Sequence, residues 1–127
     1  MTTVEKTRIT SHRDLVVWQK AMDLVTGVYE ASKVFPRDEV YGLTNQMRRA
    51  AVSVPANVAE GQGRRSKKEF VNFLENARGS LLELDTHLDL AWRLGYLELA
   101  KYSMLREQVE EVGRVLNGLL RALCANL

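Results

Sequence analysis

Residues 66–95 read SKKEFVNFLENARGSLLELDTHLDLAWRLG, and their apolar positions Phe70, Leu74, Ala77, Leu81, Leu84, Leu88 and Ala91 advance by four and three residues without a break. A half-buried strand would alternate every second residue. Steps of three and four put these side chains on one face of an α-helix. Ser66 stands three residues before Glu69, the spacing of a capping box, and Gly95 after Trp92 and Leu94 can close the helix. The stretch predicts about six helical turns, at 3.6 residues per turn.

The same arithmetic holds on both sides of it. Tyr102, Leu105, Val109, Val112, Leu116, Leu119 and Leu123 define a following helix. Leu43, Met47, Ala50, Val54 and Val58 define a preceding one, flanked by the small Ala51, Ser53, Ala56 and Ala59, which let a neighbouring backbone approach. Further back, Val17, Ala21, Leu24, Val28, Ala31 and Phe35 form one seam and Leu15, Trp18, Met22, Val25 and Tyr29 a second beside it. Such a double seam predicts packing against two neighbours, within a bundle or across a subunit boundary. Asp14 is the expected cap of this first helix, and Phe35-Pro36 ends it. The next helix is expected to begin near Asp38 to Gly42.

Four helices of roughly 22 to 28 residues would each be about 33 to 42 Å long. With short connections they must alternate in direction. The fold class is therefore all-α: an antiparallel up-down four-helix bundle over residues 14–127, preceded by a flexible polar arm at 1–13. Pro55 lies inside the second helix, where an unrelieved proline costs roughly 3 kcal/mol and should kink it. Gly61-Gln62-Gly63 offers that helix a C-terminal glycine cap.

A chain of 127 residues can bury one core without disulfide or metal staples. Cys124 is the only cysteine, so no intramolecular disulfide can form, and it is expected as a small buried apolar residue in a reducing compartment. The first dozen residues lack the apolar centre of a leader, and no later apolar run approaches the ~20 residues of a membrane span. A cytoplasmic protein with no membrane partner is expected.

Enzymatic constellations are missing. The histidines are His12 and His87, no Cys-His cluster has zinc spacing, and Glu83 with His87 misses the Glu-x-x-His step of di-iron bundles by one residue. Those two are read as an exposed i, i+4 pair. No phosphate-cradling Gly-rich loop precedes a helix. The expectation is a non-enzymatic protein with no metal and no cofactor.

The charge pattern is more informative than its sum of +2. Residues 41–68 hold six basic side chains, Arg48, Arg49, Arg64, Arg65, Lys67 and Lys68, against the single acid Glu60, a local excess of +5. Such groupings bind phosphate backbones. With Tyr41 alone and Phe70 and Phe73 on or beside the core seam, binding is expected to be electrostatic and weakly sequence-specific. The rival is a protein-interaction scaffold in which the arginines only pair with acids.

Three groups of residues carry a resemblance. The first is Tyr41-Gly42-Leu43 with Gln46-Met47-Arg48-Arg49-Ala50-Ala51-Val52-Ser53-Val54-Pro55-Ala56-Asn57-Val58-Ala59-Glu60-Gly61. The second is Ser66, Glu69-Phe70, Phe73-Leu74, Gly79-Ser80 and Glu83-Leu84. The third is Val17-Trp18, Phe35-Pro36 and Gly95-Tyr96-Leu97. Together, over about residues 13 to 125, they resemble the bacterial four-helix bundle family first known from reading frames inside 23S rRNA intervening sequences.

The resemblance implies a subunit that assembles as a ring-shaped homopentamer. It also implies a likeness to the accessory protein that partners the reverse transcriptase of diversity-generating retroelements, with RNA or DNA and the transcriptase as partners. The nucleic-acid role carries over onto Arg48 and Arg49, and less tightly onto Arg64 and Arg65; Lys67 and Lys68 join them from the charge pattern. Ser53, Pro55, Asn57, Glu60 and Gly61 match the family's helical motif and are read as structural, with Asn57 and Glu60 serving the backbone where Pro55 disrupts it.

Overall fold

The computed structural model describes residues 9–125, and no strand occurs among them. Four helices carry the fold: α1 (Val16–Ser32), α2 (Leu43–Gln62), α3 (Lys67–Arg93) and α4 (Leu99–Cys124), with 3-10 turns at His12–Asp14 and Arg37–Glu39. Of the arm expected at 1–13, residues 1–8 lie outside the described residues.

Every neighbouring pair runs antiparallel. The start of α2 meets the end of α1 through Arg48 and Ser32. Gly61 lies against Phe70 and Phe73 while Ser53 meets Ser80. Asp85 pairs with Arg106 while Trp92 stacks on Tyr102. Gly27 lies against Leu105 while Lys20 pairs with Glu111. In the last three cases numbers rise along one helix as they fall along the other, and α4 returns beside α1.

The seams read from the sequence supply the core. Val17, Ala21, Leu24, Val28, Ala31 and Phe35 of the first segment are buried, as are Met47, Ala50, Val54 and Val58 of α2. So are Leu74, Ala77, Leu81, Leu84, Leu88 and Ala91 of α3 and Leu105, Val109, Val112 and Leu116 of α4. Near the end of α4 the buried position is Leu120, and Leu119 and Leu123 are only partly covered. A 3.6-residue helix drifts past a strict heptad, which moves the seam by one residue. The second seam of α1 is half covered: Leu15 is buried, Trp18 and Val25 partly so, and Met22 and Tyr29 are exposed.

Two helices are shorter than expected, 17 residues for α1 and 20 for α2. At the start of α1, the Asp14 carboxylate accepts from the Thr10 and Ser11 N–H groups and the Thr10 hydroxyl. These bonds, the Thr10 N–H foremost, hold its pKa below the ordinary value. Asp14 therefore closes a 3-10 turn, and α1 begins after Leu15 with no side-chain cap. At the start of α2, Glu39 accepts from the Leu43 N–H at 3.1 Å and from the Tyr96 hydroxyl at 2.8 Å. One carboxylate thus caps a helix and ties it to the α3–α4 connection.

At the ends of α3, half of the expected capping box forms and the glycine closes the helix as expected. Ser66 Oγ accepts from the Glu69 N–H. Gly95, at φ +79°, takes the left-handed position after the helix, while its N–H donates to Trp92 and that of Tyr96 to Ala91. The glycines after α2 act differently. Gly63 stays right-handed at φ −77°, and Gly61 is still helical and buried. A Cβ on Gly61 would stand 2.7 Å from Phe73 Cβ, so this glycine serves close helix approach and not a left-handed cap.

Two further expectations are corrected. Cys124 is exposed, because it ends α4 beyond Leu120, where the core seam has run out. His87 is buried, at 6% exposure, because it follows Leu84 by three residues on the buried face of α3. Burial pushes the imidazole pKa down, with Glu83 opposing the shift. No helix among the described residues is long and apolar enough to cross a membrane.

Candidate nucleic-acid interface

The six basic residues that cluster in sequence separate in space. Arg48 and Arg64 are sixteen residues apart along essentially one helix, a rise of about 24 Å at 1.5 Å per residue. The cluster is two sites, one at each end of α2.

At the first end, adjacent arginines have different duties. Arg48 reaches back to α1: its Nε donates to Ser32 Oγ at 2.8 Å, Nη2 lies 3.4 Å from the Tyr29 carbonyl, and the guanidinium sits 4.6 Å from the Tyr29 ring centroid. It serves one carbonyl in the last turn of α1, as a cation at a helix C-terminus should. Arg49, turned about 100° around the helix, is exposed and has no ion-pair or hydrogen-bond partner among the described residues.

At the second end the division recurs. Arg64 pairs with Glu60 at 2.6 Å and covers the Phe73 ring at 4.7 Å. Arg65, Lys67 and Lys68 are exposed, and none has a partner among the described residues. Lys67 and Lys68 occupy the first turn of α3, where the helix dipole disfavours cations by a few tenths of a kcal/mol or more. Local helix stability does not account for them. The alternating topology brings the exposed Arg13 and Arg121 to this same end of the bundle.

The motif between the two ends makes its contacts within the subunit. The helix runs unbroken through the buried Pro55. Ser53 Oγ and Ser80 Oγ share a 2.8 Å hydrogen bond between α2 and α3, and Asn57 Nδ2 donates to the Ser53 carbonyl and hydroxyl. The carbonyl that Pro55 leaves without its helical donor is that of Ala51, six residues before Asn57, so Asn57 serves the helix contact and not the proline gap. Glu60 is committed to Arg64. Gly61 sets the separation of the two helices.

Residues 13–118 match the sequence family described as 23S rRNA-intervening sequence protein. The chain belongs to that family. Its fold is also similar to the crystal structure of a protein of unknown function from the S23 ribosomal protein family of Bacteroides thetaiotaomicron, with a TM-score of 0.77 at 21% identity over 84% of this chain and 96% of that one. No curated protein matches the chain.

In this member of the family Arg49 forms a ridge between two grooves. One, of about 590 Å³, runs between α1 and α2 past Tyr29, Val40, Thr44, Arg48 and Val52. The other, of about 400 Å³, lies between α2 and α3 and is strongly polar, lined by Tyr41, Asn45, Gln46, Arg49, Ser53, Ser80 and Glu83. Asn45 and Gln46 escaped the sequence reading, and Tyr41, weighed there only as a lone aromatic, lines this groove with them. The signal available was the i, i+4 step from Asn45 to Arg49, which aligns both on one side of α2.

Proposed function

We propose that this chain is a non-enzymatic, homo-oligomeric accessory protein that binds RNA or DNA through the phosphate backbone, with Arg49, Arg65, Lys67 and Lys68 as its phosphate contacts. The observation that carries this reading is the exposed Arg65, Lys67 and Lys68, partnerless among the described residues, with the two lysines held against the dipole of α3. Cations kept at such a position are placed for an external anion. Arg48 and Arg64 leave the set of contacts because ring faces, a hydroxyl and a carboxylate within the subunit already occupy them.

Assembly belongs to the same proposal. The half-covered seam of Trp18, Met22, Val25 and Tyr29, continued by the exposed Val52 across the α1–α2 groove, offers an apolar face for a second copy. A ring-shaped homopentamer is the form we propose, and native mass measurement counts its chains.

The test is a fluorescence-anisotropy titration against a structured RNA and a matched DNA, each at low and moderate salt. Binding in the micromolar range or tighter is expected, weakening with salt by about 0.7 to 0.9 log units per decade for each phosphate neutralised. Reversing Arg65, Lys67 and Lys68 to glutamate should flatten that slope. Absence of binding to either at low salt would sink the proposal and leave the interaction scaffold as the better account.

A further inference from the structure

We infer that the polar groove between α2 and α3 receives an unpaired nucleotide of the bound strand, with Tyr41 as the stacking platform and Arg49 as the phosphate contact. The inference rests on the nucleic-acid reading for its ligand class and adds where, and in which state, the strand is held.

Tyr41 is 91% exposed and has neither a ring nor a hydrogen-bond partner among the described residues. Its backbone is nevertheless well anchored. The neighbouring Gly42 N–H donates to the Glu39 carbonyl at 2.9 Å, and the Glu39 carboxylate holds both the Leu43 N–H and the Tyr96 hydroxyl. An aromatic ring presented to solvent from an anchored turn is available as a stacking surface, and base–aromatic stacking tolerates any base because each has a π face.

The rest of the groove matches the remainder of a nucleotide. Asn45 and Gln46 each offer a carbonyl acceptor and an NH₂ donor, the groups that pair with exposed base edges. Arg49, on the same stretch of α2, supplies the cation for the phosphate. Glu83 on α3 accepts from an exocyclic amino group and repels phosphate, which orients the ligand with its phosphate toward Arg49. The volume of about 400 Å³ falls within the range of small-ligand sites. A duplex keeps its base faces stacked and its pairing edges occupied, so only an unpaired base can use this arrangement.

The test compares a labelled single-stranded RNA, the same sequence as a blunt duplex, and displacement of the single strand by AMP. Tighter binding of the single strand is expected. Tyr41→Ala should weaken it about tenfold or more, as loss of one stacked base predicts, while Tyr41→Phe retains it and duplex affinity does not move. Lys67→Glu with Lys68→Glu should weaken single strand and duplex alike. Equal affinity for single strand and duplex, or a Tyr41→Ala protein that binds the single strand as tightly as the parent, would overturn the groove assignment and leave backbone binding standing. Displacement by AMP near stoichiometric amounts would make the groove a free-nucleotide site and overturn the strand assignment. A Tyr41→Ala protein with an altered native mass would make Tyr41 a subunit contact instead. Absence of binding to every probe would overturn this inference and the proposed function together.

Discussion

The two ends of α2 present the same pair of side chains with the same division of labour. Arg48 and Arg64 fold back onto aromatic rings and acceptors of their own subunit, whereas Arg49 and Arg65, one residue later, face solvent. The ends differ in what surrounds the free arginine. Arg49 stands beside a polar groove with an exposed tyrosine, and Arg65 stands with two lysines on the exposed turn that follows the close helix approach at Gly61. A run of positive charge in sequence is thus a mixture of internal fasteners and available contacts. The sorting depends on helical rotation, not on composition.

The comparison breaks most visibly at the close-approach end. Gly61→Ala places a methyl 2.7 Å from Phe73 Cβ, which is anchored to the backbone and cannot swing aside. Overpacking of this kind costs about 1–3 kcal/mol, and the helix-propensity gain of up to about 1 kcal/mol offsets only part of it. Gly79→Ala is the control: on exposed α3 surface, with nothing within 4 Å of the added Cβ, it should stabilise by up to about 1 kcal/mol. Urea denaturation measures both. Equal responses would mean that α2 and α3 are not held at contact distance at Gly61.

The arginine pair gives a smaller effect and a cleaner contrast. Arg48→Ala removes the bond to Ser32 and the ring contact with Tyr29, and should destabilise by about 1–2 kcal/mol. Arg49→Ala should change stability by no more than about 0.5 kcal/mol while weakening nucleic-acid affinity. Thermal denaturation and anisotropy on the same two proteins test the assignment. A stable Arg48→Ala protein that loses binding would reverse it.

How much of this was legible follows from the kind of signal involved. The buried seams from Val17 to Leu116 were readable because a 3.6-residue period repeats over many turns, and the φ +79° at Gly95 and the cap at Ser66 rest on local chemistry. The Asp14 contacts are equally local, but that carboxylate closes a turn ahead of the helix it was expected to cap, while Glu39 joins a local cap on the Leu43 N–H to a bond with Tyr96, 57 residues away. Arg48 and Arg64 are neighbours in composition yet about 24 Å apart, since rise along a helix is linear while charge counting is not. The partnership of Ser53 with Ser80 joins residues 27 apart in sequence, and the α2–α3 groove that gathers Tyr41, Arg49 and Glu83 exists only once the helices are packed. His87 misled because its residue type signals surface while its position on the seam dictates burial.

That last conflict yields the smallest expected effect. His87 is buried with no hydrogen-bond partner for Nδ1, and burial lowers its folded pKa below the ordinary 6.5. The unfolded chain therefore binds the proton more readily than the folded one. This contribution to stability is intact above pH 6.5 and is lost as pH falls through that value toward the folded pKa. One imidazole can release less than about 0.7 kcal/mol between pH 7 and pH 6. Melting temperatures across that interval, for the parent and for His87→Asn, isolate the contribution, because the neutral amide cannot titrate. Parallel pH profiles for the two proteins would mean that the buried imidazole titrates in the fold as it does in the open chain. The buried face of α3 would then admit the charge at His87.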